Sequence, residues 1–153
     1  MAMQATRGRR FNRLDARLQG VVTRFHVLVY RASCGRIGHY LGKIPVLLLT
    51  TVGRKSGKRY VKPLTYIPDG DDMALVASNG GTRQHPAWWL NLQARPETVV
   101  QVGARRLRVR ARQATPEERA RLWPQANAIY PGYDGYQRNT DREIPIVILA
   151  PIA

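Results

Sequence analysis

Acids are scarce in this chain. Its 153 residues hold 10 Asp and Glu against 25 Lys and Arg, a formal charge of +15. Carboxylates so few and scattered leave little room for chemistry that needs a matched acid pair. Cysteine is scarcer: Cys34 stands alone. That excludes an intrachain disulfide and a zinc site built on cysteine pairs. His26, His39 and His85 have no metal-ligand spacing and read as structural, so no metal is expected. Ser, His and Asp fall in no recognisable nucleophilic arrangement. Long apolar runs are absent too, far short of the ~20 residues that span a bilayer. No apolar h-region opens the chain, so a secretory signal is not expected. The expected location is the cytoplasm, with peripheral membrane contact left open. Lysine is limited to Lys43, Lys55, Lys58 and Lys62; arginine carries the remaining positive charge.

A length of this size favours one domain, and 44% hydrophobic residues suit an ordinary globular core. The positive field attracts anions of any kind. Nucleic acid, an anionic membrane and a polyanionic small molecule are the three partner types that follow.

Residues 1–10 are polar and basic and are expected to be a disordered tail, with residues 11–153 forming the domain. Between 11 and 32, Phe11, Leu14, Leu18, Val21, Val22, Phe25, Leu28 and Val29 recur at three- and four-residue steps, the period of an amphipathic helix. The expectation is that this stripe lies on the core and that Arg10, Arg13, Arg17 and Arg24 face water. Attachment of the basic helix to anionic lipid is the second reading.

Strands are expected at 46–52, 59–67 and 73–78, with a turn at 68–72. A short helix follows over 85–94, with Pro86 in its first position. Residues 98–113 read as a hairpin. In its second arm Arg106, Arg108, Arg110 and Arg112 alternate with Leu107, Val109 and Ala111, which puts cations and apolar groups on opposite faces. Thr115, Pro116 and Glu118 spell a capping box, and Pro124 is expected to end or kink the helix it opens. Residues 129–143 read as an aromatic loop, and the apolar run from Ile144 as a last strand. About six strands in hairpin-like groups, with flanking helices, argue for a mainly β, α+β antiparallel barrel over a doubly wound parallel sheet.

The loop "TTVGRKSGKRY" carries the strongest chemical signal. A triphosphate cradle needs four residues between its glycines, then Lys and Ser or Thr. Here three residues separate Gly53 from Gly57, and Lys58 is followed by Arg59. A dinucleotide fingerprint and a serine nucleophile elbow fail on spacing as well. What remains is a generic anion loop: glycines that free backbone N–H groups, with Arg54, Lys55, Lys58 and Arg59 as charged donors around Ser56. A tight hairpin with solvated cations is the plainer alternative. A second loop, "SNGG" from Ser78 to Gly81, also follows a strand and precedes a helix, and its hydroxyl and N–H groups suit a phosphate or a polar ring edge. Trp88 and Trp89 read as core or as a cofactor stack. Tyr130, Tyr133 and Tyr136, three residues apart, read as a pocket wall or as surface tyrosines packed on the barrel.

Four segments together, "LLLTTVGRKSGKRYVKPLTYI", "ALVASNGGTRQHPAWWLNLQARPE", "TPEERARLWPQ" and "YPGYDGYQRNTDREIPIVILAP", resemble the deazaflavin-dependent nitroreductase family of the actinobacterial type. The likeness runs from about residue 46 to 152. It implies a split β-barrel of the FMN-binding type that binds coenzyme F-420, an 8-hydroxy-5-deazaflavin with a phosphodiester and an oligoglutamate tail. By resemblance, Arg54, Lys55 and Lys58 hold the phosphate and tail, with Ser56 and Arg59 in the same loop. Ser78 and Asn79 meet the phosphate or ring edge. Pro63, Leu64, Thr65, Ala77, Trp88 and Asn91 frame the ring, and Tyr130, Tyr133 and Tyr136 close over the acceptor.

Asn79 departs from a lysine common in that family, and Ala87 and Thr65 stand where bulkier residues are common, which enlarges the pocket beside the ring. The implied activity is hydride transfer from the reduced coenzyme to a quinone, nitroaromatic or activated enone, with Ser78 or a tyrosine hydroxyl donating to the developing oxyanion. Rival readings are an FMN-dependent oxidoreductase on the same barrel, a non-catalytic coenzyme carrier, and a nucleic-acid binder using the arginine face, the last without a recognisable motif. A monomer or homodimer is expected.

Overall fold

A computed structural model describes residues 13–153, with side chains described from residue 16. The expected tail at 1–10, with Arg10 and Phe11, lies outside the described residues, as do the side chains of Arg13 and Leu14.

Helix α1 (Arg13–Ala32) leads into β1 (Tyr40–Leu41), β2 (Ile44–Val52), β3 (Arg59–Thr65), β4 (Ile67–Asp69) and β5 (Asp72–Val76). A 3-10 turn at Asn79–Gly81 and α2 (Ala87–Ala94) follow, then the hairpin β6 (Glu97–Val102) and β7 (Arg105–Gln113). Helices α3 (Pro116–Ile129) and α4 (Gly132–Arg138) precede β8 (Ile146–Pro151). Every pairing is antiparallel, in the order β1-β2-β6-β7-β8-β5-β4, with β3 on the other edge of β2. Two of the eight strands, β1 and β4, are too short to have left a pattern in the sequence.

The stretch expected as one strand at 59–67 changes partner midway. Its first part pairs with β2, Leu48 opposite Pro63, and its continuation from Ile67 pairs with β5. That partner switch draws the two ends of the sheet together, as a split barrel requires. Pro63 is tolerated because β3 is an edge strand, where a missing N–H leaves no ladder bond unmade.

The barrel has two apolar layers. Leu47, Leu49, Met73, Leu75, Val147 and Leu149 meet Trp88, Trp89 and Leu92 of α2 inside. Ala74, Ile146 and Ile148, on the opposite face of the same strands, meet Leu122 and Ala126 of α3 and Tyr133 of α4. β8 is apolar throughout because both its faces are covered.

Three helical expectations are corrected. Pro86 is the N-cap of α2, one residue before the helix. Pro124 does not end α3, which continues through it to Ile129 behind a complete Thr115–Glu118 capping box. The tyrosine segment, expected as a loop, contains α4. Asn127 Oδ1 accepts the Asp134 N–H, and Asp134 Oδ1 accepts from Trp123 and Asn127, so α3 templates it.

The largest correction concerns α1. Its apolar stripe does not lie on the core: Leu18, Val21, Val22, Phe25 and Leu28 are 60–68% exposed. The helix is held by its other side. The buried Tyr30 hydroxyl donates to the Val46 carbonyl (3.0 Å) and accepts the Gly103 N–H (2.8 Å), while His26 Nε2 donates to the Gly38 carbonyl (3.1 Å). Among the described residues no helix is long and apolar enough to cross a membrane.

The arginine face of β7 is also not a free phosphate track. Arg108 and Arg110 pair with Glu97, and Arg112 with Glu118.

Candidate active site

The basic loop is a closed turn between β2 and β3. Gly53 N–H donates to the Lys58 carbonyl and Gly57 N–H to the Gly53 carbonyl, both at 2.8 Å. Ser56 folds inward: its hydroxyl accepts the Lys58 N–H (3.2 Å) and lies 3.2 Å from the Tyr60 hydroxyl. A Cβ on Gly53 would sit 2.5 Å from that hydroxyl and 2.9 Å from the Tyr60 ring, so any larger residue would displace Ser56 and Tyr60. Ser56 therefore shapes the loop, while Lys55, Lys58 and Arg59 stay exposed and pair with no acid among the described residues. Arg54 is fixed from below. The buried Asn91 accepts its backbone N–H (3.1 Å) and its guanidinium (3.4 Å), and donates to Thr51 Oγ1 (3.3 Å).

Asn91 links this loop to a cavity. One turn earlier on α2, Trp88 forms part of the wall of a cavity of about 340 Å³. Residues three apart share a helix face, about 4.5 Å along the axis. Leu64, Thr65, Ser78, Asn79 and Tyr133 also line it, so the Ser78 loop, β3 and the tyrosine segment meet there, while no residue of the basic loop from Gly53 to Arg59 is in the lining. The sequence reading missed Gln19, Lys62, Leu75, Val76, Gly80 and Pro86 in the same lining. Among the described residues no carboxylate lines it. The lowered pKa of Lys62 reflects partial desolvation of its ammonium by these walls, although the residue as a whole is exposed.

Some expected residues stand elsewhere. Ala77 is fully buried in the inner layer and presents only its carbonyl to Arg142. Pro63 sits half-buried on β3 outside the lining. Of the three tyrosines, only Tyr133 reaches the cavity. Its hydroxyl shares a 3.1 Å hydrogen bond with Thr65, and burial raises its pKa, partly offset by that bond. Tyr130 and Tyr136 bond to each other at 3.0 Å and stack around Tyr133, with ring centroids 5.1–6.3 Å apart. They buttress the wall from behind.

The Ser78 loop is held by a residue that no local pattern marks. Arg142 donates to the carbonyls of Ala77 (3.3 Å), Ser78 (2.7 Å) and Thr82 (3.0 Å) and to His85 Nδ1 (3.2 Å). Burial lowers the pKa of His85, with Arg142 contributing. Asn79 takes a left-handed φ of 48°, which asparagine tolerates, and spends its amide on Thr82 and Gln84. Gly81, at φ 74°, leaves 2.8 Å between a notional Cβ and the Tyr136 carbonyl, so the turn seats directly on α4. Among the described residues no group of His, Cys, Asp and Glu is placed to hold a metal.

A cavity with no carboxylate among the described residues, one helical turn from a loop of exposed cations, fits a ring-bearing polyanion. The model of the F420H(2)-dependent quinone reductase family matches residues 22–151. The chain belongs to that family. Membership makes it an oxidoreductase that uses reduced coenzyme F-420 as hydride source, with quinones as the acceptor class for which the family is named.

A quinone reductase of the same designation from Mycobacterium tuberculosis is 42% identical over 130 residues, 82% of this chain and 87% of that protein. A second relative from that organism is 45% identical over 108 residues, 71% of this chain and 91% of its own. Among solved structures, a reduced-F-420-dependent reductase (FDR-A) superposes with a TM-score of 0.63 at 42% identity, covering 69% of this chain and 93% of that one. A domain-swapped dimer gives 0.66 at 35% identity, covering 87% and 98%. The heme storage protein HutZ of Vibrio cholerae, at 15% identity and 0.55, shares the split-barrel fold alone.

Proposed function

We propose that the cavity receives the deazaflavin ring and the acceptor stacked on it, and that the 53–59 loop receives the phosphodiester and glutamate tail. The observation that carries this is α2: it sets Trp88 against the cavity and Asn91 beneath Arg54, so ring site and anion site are one rigid unit. Lys55, Lys58 and Arg59, which pair with no acid among the described residues, supply the charge that a polyanionic tail needs. When bound, the coenzyme supplies the hydride; the protein supplies orientation and electrostatics. Ser78 and Tyr133 bring hydroxyl-bearing side chains to the lining, and Thr65 shares a hydrogen bond with the Tyr133 hydroxyl. Leu64 and Trp88 give the ring apolar surface, Ser56 holds the loop closed, and Tyr130 and Tyr136 brace Tyr133.

Titrating the purified protein with oxidised coenzyme F-420 while following tryptophan fluorescence tests the reading, because Trp88 lines the site. Saturable quenching at micromolar coenzyme is expected. Replacing Arg54 and Lys55 together by alanine should weaken binding at least ~10-fold, as loss of two charge-assisted contacts implies, and flatten its salt dependence. An unchanged Kd in that variant would sink the assignment of the loop.

A second copy of the chain is the proposed cover for the exposed stripe of α1. A 35% identical relative forms a domain-swapped dimer, and exchange of α1 would bring Gln19 of one copy to the cavity of the other. Contact of this helix with an anionic membrane rests on the residue pattern alone.

A further inference from the structure

We infer that Lys62 is a catalytic residue: its ammonium donates to the acceptor oxygen on which negative charge collects after hydride arrival. The inference rests on the cavity being the coenzyme and acceptor site. Among the described residues Lys62 is the cation of the lining; the other groups there are neutral, and Tyr133 is the other titratable one. No acid pairs with it among the described residues. It stands three residues beyond Arg59 along β3, which at ~3.3 Å per residue puts it about 10 Å from the end of the anion loop. That separation places Lys62 on the ring and acceptor side, away from the phosphate. Strand alternation sets it on one face with Leu64, and Gln19 of α1 stands beside them in the lining. The partly desolvated ammonium is a stronger donor there than in water.

The step balances simply. Hydride, one proton with two electrons, leaves the reduced coenzyme and adds to the quinone. The quinone would become a hydroquinone monoanion, and the coenzyme would reach its oxidised form by also releasing one proton to solvent. A proton from solvent at the open mouth completes the hydroquinone, and Lys62 holds the oxyanion until it arrives.

Lys62→Met and Lys62→Arg separate this role from its rivals. With menadione as acceptor, Lys62→Met should lower kcat at least ~10-fold, enclosed oxyanion donors being worth ~10²–10³. The Kd for oxidised coenzyme should stay within about twofold, and Lys62→Arg should recover much of the rate by restoring charge and donors. A binding readout accompanies the kinetics. The chain has four lysines, so reductive ¹³C-methylation gives few resonances, and Lys62 is assigned by its loss in Lys62→Arg. In enzyme saturated with oxidised coenzyme, 4-nitrophenolate should shift the Lys62 resonance and leave Lys43 in place. Its Kd should rise about 10-fold in Lys62→Met, while that of neutral 4-nitroanisole holds. A raised coenzyme Kd with unchanged kcat would make Lys62 a coenzyme-binding cation and overturn the inference. If wild-type enzyme binds no coenzyme, the reading of the cavity falls with it. If coenzyme binds normally and Lys62→Met changes neither kcat nor 4-nitrophenolate affinity, the Lys62 assignment alone falls.

Discussion

Asn91 connects the two halves of the site through a single buried amide. Its oxygen holds both the backbone and the guanidinium of Arg54, and its nitrogen is spent on Thr51. Asn91→Ala should therefore free Arg54 to wander and raise the coenzyme Kd about 10-fold, the equivalent of roughly one charge-assisted bond. Asn91→Asp should keep the Arg54 contact and lose the Thr51 one, giving a smaller effect in the same fluorescence titration. Asn91 was identified from family resemblance; its partners could not have been, because Arg54 and Thr51 lie about forty residues away in the chain. Arg142 escaped notice for the same reason. It is one arginine among many in the sequence, and only the fold shows that it gathers the carbonyls beneath Ser78.

At the scale of elements, α3 was read correctly at its start and misread further on. The capping box is local chemistry, complete within four residues, and it forms as expected. Thr115→Ala should cost about 1 kcal/mol of stability in chemical denaturation. Glu118 also meets Arg112, and the Arg112 guanidinium with the Thr115 N–H holds its carboxylate down at about 2, against an ordinary 4.5. A folded pKa below the unfolded one contributes stability that is present above about pH 4.5 and lost as pH falls toward 2. The Tm difference between wild type and Glu118→Gln should accordingly narrow between pH 5 and 2.5. The pair is surface-exposed, so the difference at neutral pH should be no more than about 1 kcal/mol. α4 was missed because Gly132 and Gly135 are poor helix formers; Asp134 and Asn127 compensate across the α3–α4 interface.

For the whole molecule, the open question posed by the fold is what meets α1. Light scattering after size exclusion should give twice the 17.3 kDa of one chain. Phe25→Asp should shift the protein to monomer without loss of fold, since that side chain is 68% exposed within one chain. A wild-type monomer would sink the dimer, and wild-type binding to anionic vesicles would then assign the face to lipid.

Some of this protein was settled by local order along the chain. Periodicities of two and 3.6 marked most strands and helices, a capping box marked α3, and the count between Gly53 and Gly57 ruled out a triphosphate cradle. Scarcity of acids made an anionic partner the natural reading. Only the tertiary structure decided which face of α1 is covered, which tyrosine reaches the cavity, and that Lys62 stands in its wall. Such features depend on register and on contacts between residues far apart in sequence. A helical stripe shows that a face is apolar, and a strand shows which residues alternate; neither shows what lies opposite.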